Sequence, residues 1–194
     1  MIAARYFRAQ AYNNAWANYR LLMACSRLAP AELSAPRTGF FPSIIHTLNH
    51  ILTVDWLYMS SLEGRSVDYA GFEEIPCPQL TDLQQEQKAV DARLIAFCSA
   101  IEDAGLEQTI NINRGDWIQT EPVDRTLLHL FQHQVHHRGQ VHAMLSGTGV
   151  EPPQLDEFFL GHQRERELRA EDFRALQFNE AAIWDGSASQ KKDV

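Results

Sequence analysis

Cysteine is scarce in this chain: three residues in 194, Cys25, Cys77 and Cys98, far apart and outside any C-x-x-C spacing. An odd, scattered set excludes a disulfide frame and fits reduced thiols in a cytoplasmic protein. No apolar run approaches the ~20 residues that span a bilayer, and the start, MIAARYFRAQAYNNAW, lacks the apolar core of a signal peptide. Positive charge is thin as well. Seventeen Lys and Arg stand against 25 Asp and Glu, for a net charge of −8, and no basic cluster exceeds a pair. A surface that tracks phosphates needs concentrated positive charge, so no nucleic-acid partner is expected. Several catalytic signatures are missing too. There is no G-x-S-x-G, no P-loop, no G-x-G-x-x-G and no Glu-x-x-His pair of the kind that builds di-iron bundles.

What is present is apolar and periodic. The chain is 45% hydrophobic, with 10 Phe and 4 Trp, enough for a sizeable core in one domain. Residues 1–185 read as a single unit and 186–194 as a frayed tail. Phe7, Ala11, Trp16, Tyr19, Leu22, Met23 and Leu28 mark a first helix over 3–27, and Pro30 ends it. Residues 29–41 form a connector. A second helix opens at Pro42 and runs to 62, apolar over more than half its circumference and therefore central. Residues 63–80 form a loop. Thr81-Asp-Leu-Gln84 has the form of a capping box and predicts a third helix that ends at Gly105. Over 106–121 the alternation Thr109-Ile-Asn-Ile-Asn113, the turn-forming Arg114-Gly-Asp116 and the return Trp117-Ile-Gln-Thr120 predict a short hairpin. A fourth helix covers 123–146, and 155–184 carries one or two more around a charged, solvated stretch. Four long helices with long connections describe an all-α four-helix bundle with at least one crossover.

Five of the eight histidines fall within 127–145: His129, His133, His136, His137 and His142. Residues four apart on a helix lie one above the other, so His133 and His137 share a face, as two imidazole ligands on one rigid element would. His50 interrupts the second helix among Leu48, Ile51, Leu52 and Val54. A metal on one ring nitrogen and an acceptor on the other would satisfy a buried imidazole there. His46 shares the face of His50, and His129 that of His133, so either can replace a chosen ligand. Three neutral histidines without a carboxylate leave a position open, the catalytic pattern for zinc, and Ni²⁺ also suits imidazole. Arg138-Gly139 predicts an arginine paired with a carboxylate at a helix contact, with the glycine permitting close approach. Asp55 and Tyr58 lie near His50 in sequence, but no base is assigned.

Together these residues resemble the DinB family, the DinB/YfiT-like metalloenzymes. His133-Gln-Val-His-His137-Arg-Gly-Gln140 is similar to that family's H-x-x-H-H-R-G-Q signature. Thr47-Leu-Asn-His50-Ile-Leu52 with Asp55-Trp56 resembles its second-helix motif, and Tyr12-Asn13, Trp16-Ala-Asn18 and Arg20-Leu-Leu22 resemble its first helix. Gly149 to Pro153 with Leu155-Asp156 resembles the segment after its last bundle helix, so the likeness spans roughly 6–160. The resemblance implies a bundle of up-down-down-up type, a homodimer, and Zn or Ni on His50, His133 and His137. Superfamily relatives include transferases and isomerases that use a low-molecular-weight thiol. The expectation is a metal-dependent enzyme such as a thiol S-transferase or hydrolase; the alternative is a non-catalytic, stress-associated metal-binding protein.

Overall fold

The computed structural model describes residues 3–65, 67 and 74–185. The tail expected over 186–194 and part of the loop over 63–80 lie outside the described residues. Four long helices carry the fold: α1 (Ala3–Cys25), α3 (Ile44–Leu62), α4 (Leu80–Ala100) and α6 (Val123–Leu145). Short helices α2 (Pro30–Ser34) and α5 (Asp103–Leu106) sit in connections, and α7 (Gln163–Leu176) and α8 (Glu180–Asp185) follow the bundle. Each long helix packs on two others. α1 contacts α4 and α6, and α3 contacts α4 and α6.

Strands β1 (Thr109–Asn113) and β2 (Ile118–Pro122) form the expected hairpin, antiparallel in the register Thr109↔Pro122 and Asn113↔Ile118. Gly115 adopts φ 88°, the left-handed conformation that such a turn requires. Ile112, one of the largest fully buried side chains, anchors the hairpin to the core. Pro122 ends β2 and is also the N-cap residue of α6, so strand and helix join without slack.

Several ends differ from the sequence reading, each for a local reason. Ser43, not Pro42, opens α3: its Oγ accepts from the His46 backbone N–H. α4 starts at Leu80, before Thr81, so the capping box does not form, and the Thr81 hydroxyl instead donates to Asp82. α4 ends at Ala100 with Ile101 as an extended cap, and Gly105 falls inside the separate α5. The charged stretch over 164–172 is not wholly solvated. Arg169 is buried and donates to the Leu160 carbonyl and to Glu180, while Asp172 pairs with Arg20 at 2.7 Å and accepts from the Trp16 indole at 3.0 Å. These contacts, with Phe158 and Ile183 packed on Trp16, fasten the C-terminal helices to α1.

The main core joins Leu21 and Leu22 of α1, Ile44 to Leu62 of α3, Leu83, Val90 and Leu94 of α4, and Leu127, Leu130 and Val141 of α6. Within this apolar mass lies a polar network with a member from every long helix. Arg138 of α6 is buried and donates to the side-chain oxygens of Asn14, Asn18 and Gln134. The amide nitrogens of those residues turn outward to two buried carboxylates. Asn14 and Asn18 donate to Asp91, Gln134 donates to Asp55, and Gln87 donates to both. The carboxylate expected beside Arg138 is therefore held one amide away. Gly139 is not a close-approach glycine either, since a Cβ there would meet nothing within 4 Å. Cys25, Cys77 and Cys98 are buried free thiols, and burial pushes those of Cys25 and Cys98 up to about 12.

Burial, then the charge of Asp91, push the Asp55 carboxyl up to about 8, against the opposing pull of the Gln87 and Gln134 amides. Asp91 is pushed up to about 6, again mainly by burial. Above an unfolded value of 3.8 and below about 8, folded Asp55 keeps a proton that the unfolded chain has lost. Stability therefore falls as pH rises through that window. Between about pH 7 and 8 Asp91 is already ionised, and the loss is on the order of 1 kcal/mol, one proton over one pH unit. Urea unfolding of metal-free protein should show this decline, and Asp55→Asn should flatten it. An unchanged slope in the variant would assign the effect to another group.

Candidate metal centre

α3 and α6 lie side by side and run in opposite senses, since His50 meets His133 and His137 while Tyr58, further along α3, meets His129, earlier on α6. The rows that face each other follow from helical spacing: 50, 54 and 58 on one helix, 125, 129, 133 and 137 on the other. Across this seam the Nε2 atoms of His50 and His133 stand 3.0 Å apart. His50, His133 and His137 each offer a ring nitrogen, all within 4.8 Å of one another. Two imidazole nitrogens on one zinc, at ~2.0–2.1 Å each and tetrahedral, lie about 3.3 Å apart. The three rings are thus spaced to hold one divalent ion with little adjustment. Among the described residues no carboxylate or thiol joins them as a fourth ligand.

Tautomer and orientation are set from behind. Gln140 Oε1 lies 2.9 Å from His137 Nδ1, so that nitrogen carries the proton and Nε2 presents its lone pair. The Nδ1 of His133 is buried without a partner among the described residues, and its ring is held by packing between His137 and His129 at centroid distances of 4.3 and 6.2 Å. Phe41 closes a third side, 4.4 Å from the His50 ring and 5.7 Å from His137. The sequence reading missed this residue. Its only signal was the aromatic pair Phe40-Phe41 just before the α3 cap.

The remaining histidines are engaged elsewhere. His46 turns back to the Ser43 hydroxyl at 2.7 Å, His136 pairs with Gln140 at 3.0 Å, and His142 reaches the Pro153 carbonyl at 3.0 Å. His129 lies further along the α3–α6 seam beside Tyr58. Asp55 points into the polar network, which removes it as a base at this site.

Burial, reinforced by the neighbouring imidazoles, brings His50 down to about 4 and His133 to about 3, and it lowers His137 as well. All three are then neutral at pH 7, the form that ligates a metal.

A helical bundle with an open cluster of three imidazoles between two antiparallel helices defines a class of protein equipped to hold a divalent metal. The sequence model of the DinB family matches residues 7–168, and the chain belongs to this family. It is 24% identical over 142 residues to the protein DinB of Bacillus subtilis (strain 168), covering 70% of this chain and 82% of that one. It is also similar in fold to the crystal structure of a DinB-like protein from Bacillus cereus ATCC 10987, with a TM-score of 0.55 at 18% identity, covering 72% of this chain and 90% of the other.

Because the rings are already deprotonated at neutral pH, a metal ion displaces few protons on binding. Zn²⁺ affinity measured by competition with a chelator should hold as pH falls through 6.5 and weaken most steeply toward pH 4, where His50 begins to take up a proton. A decline that begins near 6.5, the ordinary imidazole value, would contradict the lowered ring values.

Proposed function

We propose that this protein is a metal-dependent enzyme, a thiol S-transferase or a hydrolase, whose divalent ion, Zn or Ni, is held by His50, His133 and His137. The observation that carries this reading is the convergence of three neutral imidazoles with no fourth protein ligand among the described residues. A site that serves structure closes its coordination sphere, whereas one that serves chemistry keeps a position for substrate or solvent. A divalent ion there supplies Lewis acidity and lowers the pKa of a coordinated thiol or water toward neutrality. The chain's own residues do the rest. Gln140 holds the His137 proton away from the centre, Phe41 excludes water from one flank, and the Arg138 network fixes the rotation of α6.

The bundle does not depend on metal for its core. Apolar packing and the Arg138 network already join all four helices. This favours the enzyme over the stress-associated metal-binding protein. Elemental analysis of protein purified without an affinity tag should find about one Zn or Ni per chain, lost in His50→Ala and His137→Ala with little change in Tm. Unfolding together with metal loss would favour the structural role, and absence of metal even after adding Zn²⁺ or Ni²⁺ would reject the site.

For assembly, we infer a homodimer formed through the α1–α6 face. Tyr6, Leu128 and Val135 stand exposed there, around an open cavity of about 420 Å³ that Phe7 and Phe131 also line. A two-fold contact would cover the patch with its own copy. Sedimentation should give a dimer for the wild type and a monomer for Val135→Glu. An unshifted dimer in that variant would place the interface elsewhere.

A further inference from the structure

Beyond the three histidines, the α3–α6 seam continues into a second polar cleft that the metal reading leaves without a role. It has a volume of about 220 Å³ and lies under the hairpin, lined by Tyr58, Arg114, Gln119, Glu121, Arg125 and His129, with Ile112 and Thr126 beneath them. Tyr58 and Ile112 form a buried floor, while Arg125 and His129 stand at its solvent side. The cleft adjoins the metal centre through the His129 ring. His129 is 6.2 Å from His133 and 5.3 Å from Tyr58, centroid to centroid.

The groups lining it are mostly donors. Arg114 Nε donates to Gln119 Oε1 at 2.9 Å, and its Nη2 donates to the Tyr58 hydroxyl at 2.9 Å, with the guanidinium carbon 5.5 Å from the Tyr58 ring centre. These contacts fix the guanidinium and leave Nη1 uncommitted among the described residues. The Tyr58 oxygen accepts from Arg114, so its own proton is available to a ligand. Among the described residues neither Arg114 nor Arg125 has a carboxylate within ion-pair distance, and the one acid in the cleft, Glu121, accepts from Gln119 at 2.9 Å. In a chain of net charge −8, two arginines without an ion pair among the described residues, beside a phenol, an imidazole and one acid that Gln119 engages, form a site for negative oxygen. Arginine's planar fork matches carboxylate and phosphate alike.

We propose that this cleft is the anion subsite of the three-histidine centre. It would hold the terminal carboxylate or phosphate of a substrate whose reacting group lies at the metal. Its volume suits such a terminal group and not a whole drug-sized ligand. The hairpin between α5 and α6 then has a task, since its turn carries Arg114 onto Tyr58. This inference rests on the metal-site reading above, so its test separates the two.

The first arm uses metal-free, full-length protein, so that direct ligation of an ion cannot imitate anion binding. Sodium glutarate and inorganic phosphate are titrated at constant ionic strength, with the arginine Nε–H signals followed by NMR. Saturable shifts at Arg114 and Arg125 are expected. Arg114→Gln and Arg125→Gln should each weaken binding about tenfold, the scale of one charge-assisted contact, while substitution of the exposed Arg164 on α7, Arg164→Gln, leaves it unchanged. The tighter of the two anions identifies the substrate's terminal group. Shifts that never saturate, or binding unaffected by either cleft variant, would overturn the proposal.

The second arm uses Co²⁺-loaded protein and compares ω-mercaptocarboxylates of increasing length with mercaptoalcohols of equal length, read by the visible spectrum of the metal. One length should bind about tenfold tighter as the carboxylate, an advantage lost in Arg125→Gln. No advantage at any length would detach the cleft from the centre and overturn its role as a substrate anchor. Failure of Co²⁺ to load would reject the metal site, with the anion titration still standing as its own result.

Discussion

Everything about this molecule turns on how α6 is rotated, and one buried arginine sets that rotation. Arg138 threads its guanidinium between Asn14 and Asn18 of α1 and Gln134 of its own helix, and the amide nitrogens of those residues reach Asp91 of α4 and Asp55 of α3, which Gln87 of α4 bridges. Burying a charge is costly unless its hydrogen bonds are met. Very few rotations of four helices meet all of these at once, so the network selects one packing more than it adds to stability. Gln134 and Arg138 each follow directly on His133 and His137. One residue is about 100° of turn on a helix, so locking the first pair inward to the network aims the second pair at α3 and His50.

Much of this was legible in the sequence, because periodicity reports what a helix buries. The apolar stripes marked the four long helices to within a few residues, the alternation around the Arg114-Gly-Asp116 turn marked the hairpin, and the i, i+4 spacing marked the face shared by His133 and His137. The histidine richness around residue 133 overstated the cluster, since His136 and His142 each find a hydrogen-bond partner away from the centre. What could not be read was the polar network. Asn14, Asn18, Gln87 and Asp91 look like the solvated side of an amphipathic helix until their partners, up to 124 residues away, are known. The same blindness made a carboxylate the expected neighbour of Arg138, where amide oxygens stand. Helix ends were missed where a cap one or two residues away offered a better bond, as Ser43 does for α3.

The two halves of the seam divide the work by element type. The imidazoles stand on long helices whose positions the core and the network fix within narrow limits, as ligands to one ion require. Arg114 stands on a two-stranded hairpin tied to the core at Ile112 and continuous with α6 through Pro122. A hairpin of that kind can change its turn without disturbing a helix, while the histidines cannot move without the bundle.

The three cysteines carry a different implication. An open metal position invites the strongest soft ligand within reach, and a mobile thiolate from the same chain would plug it permanently. Here Cys25, Cys77 and Cys98 are all interior, and burial raises each thiol above its ordinary value. The protein thus keeps its own sulfur out of competition. Any thiol that reaches the imidazoles must arrive from solution, and it can leave again.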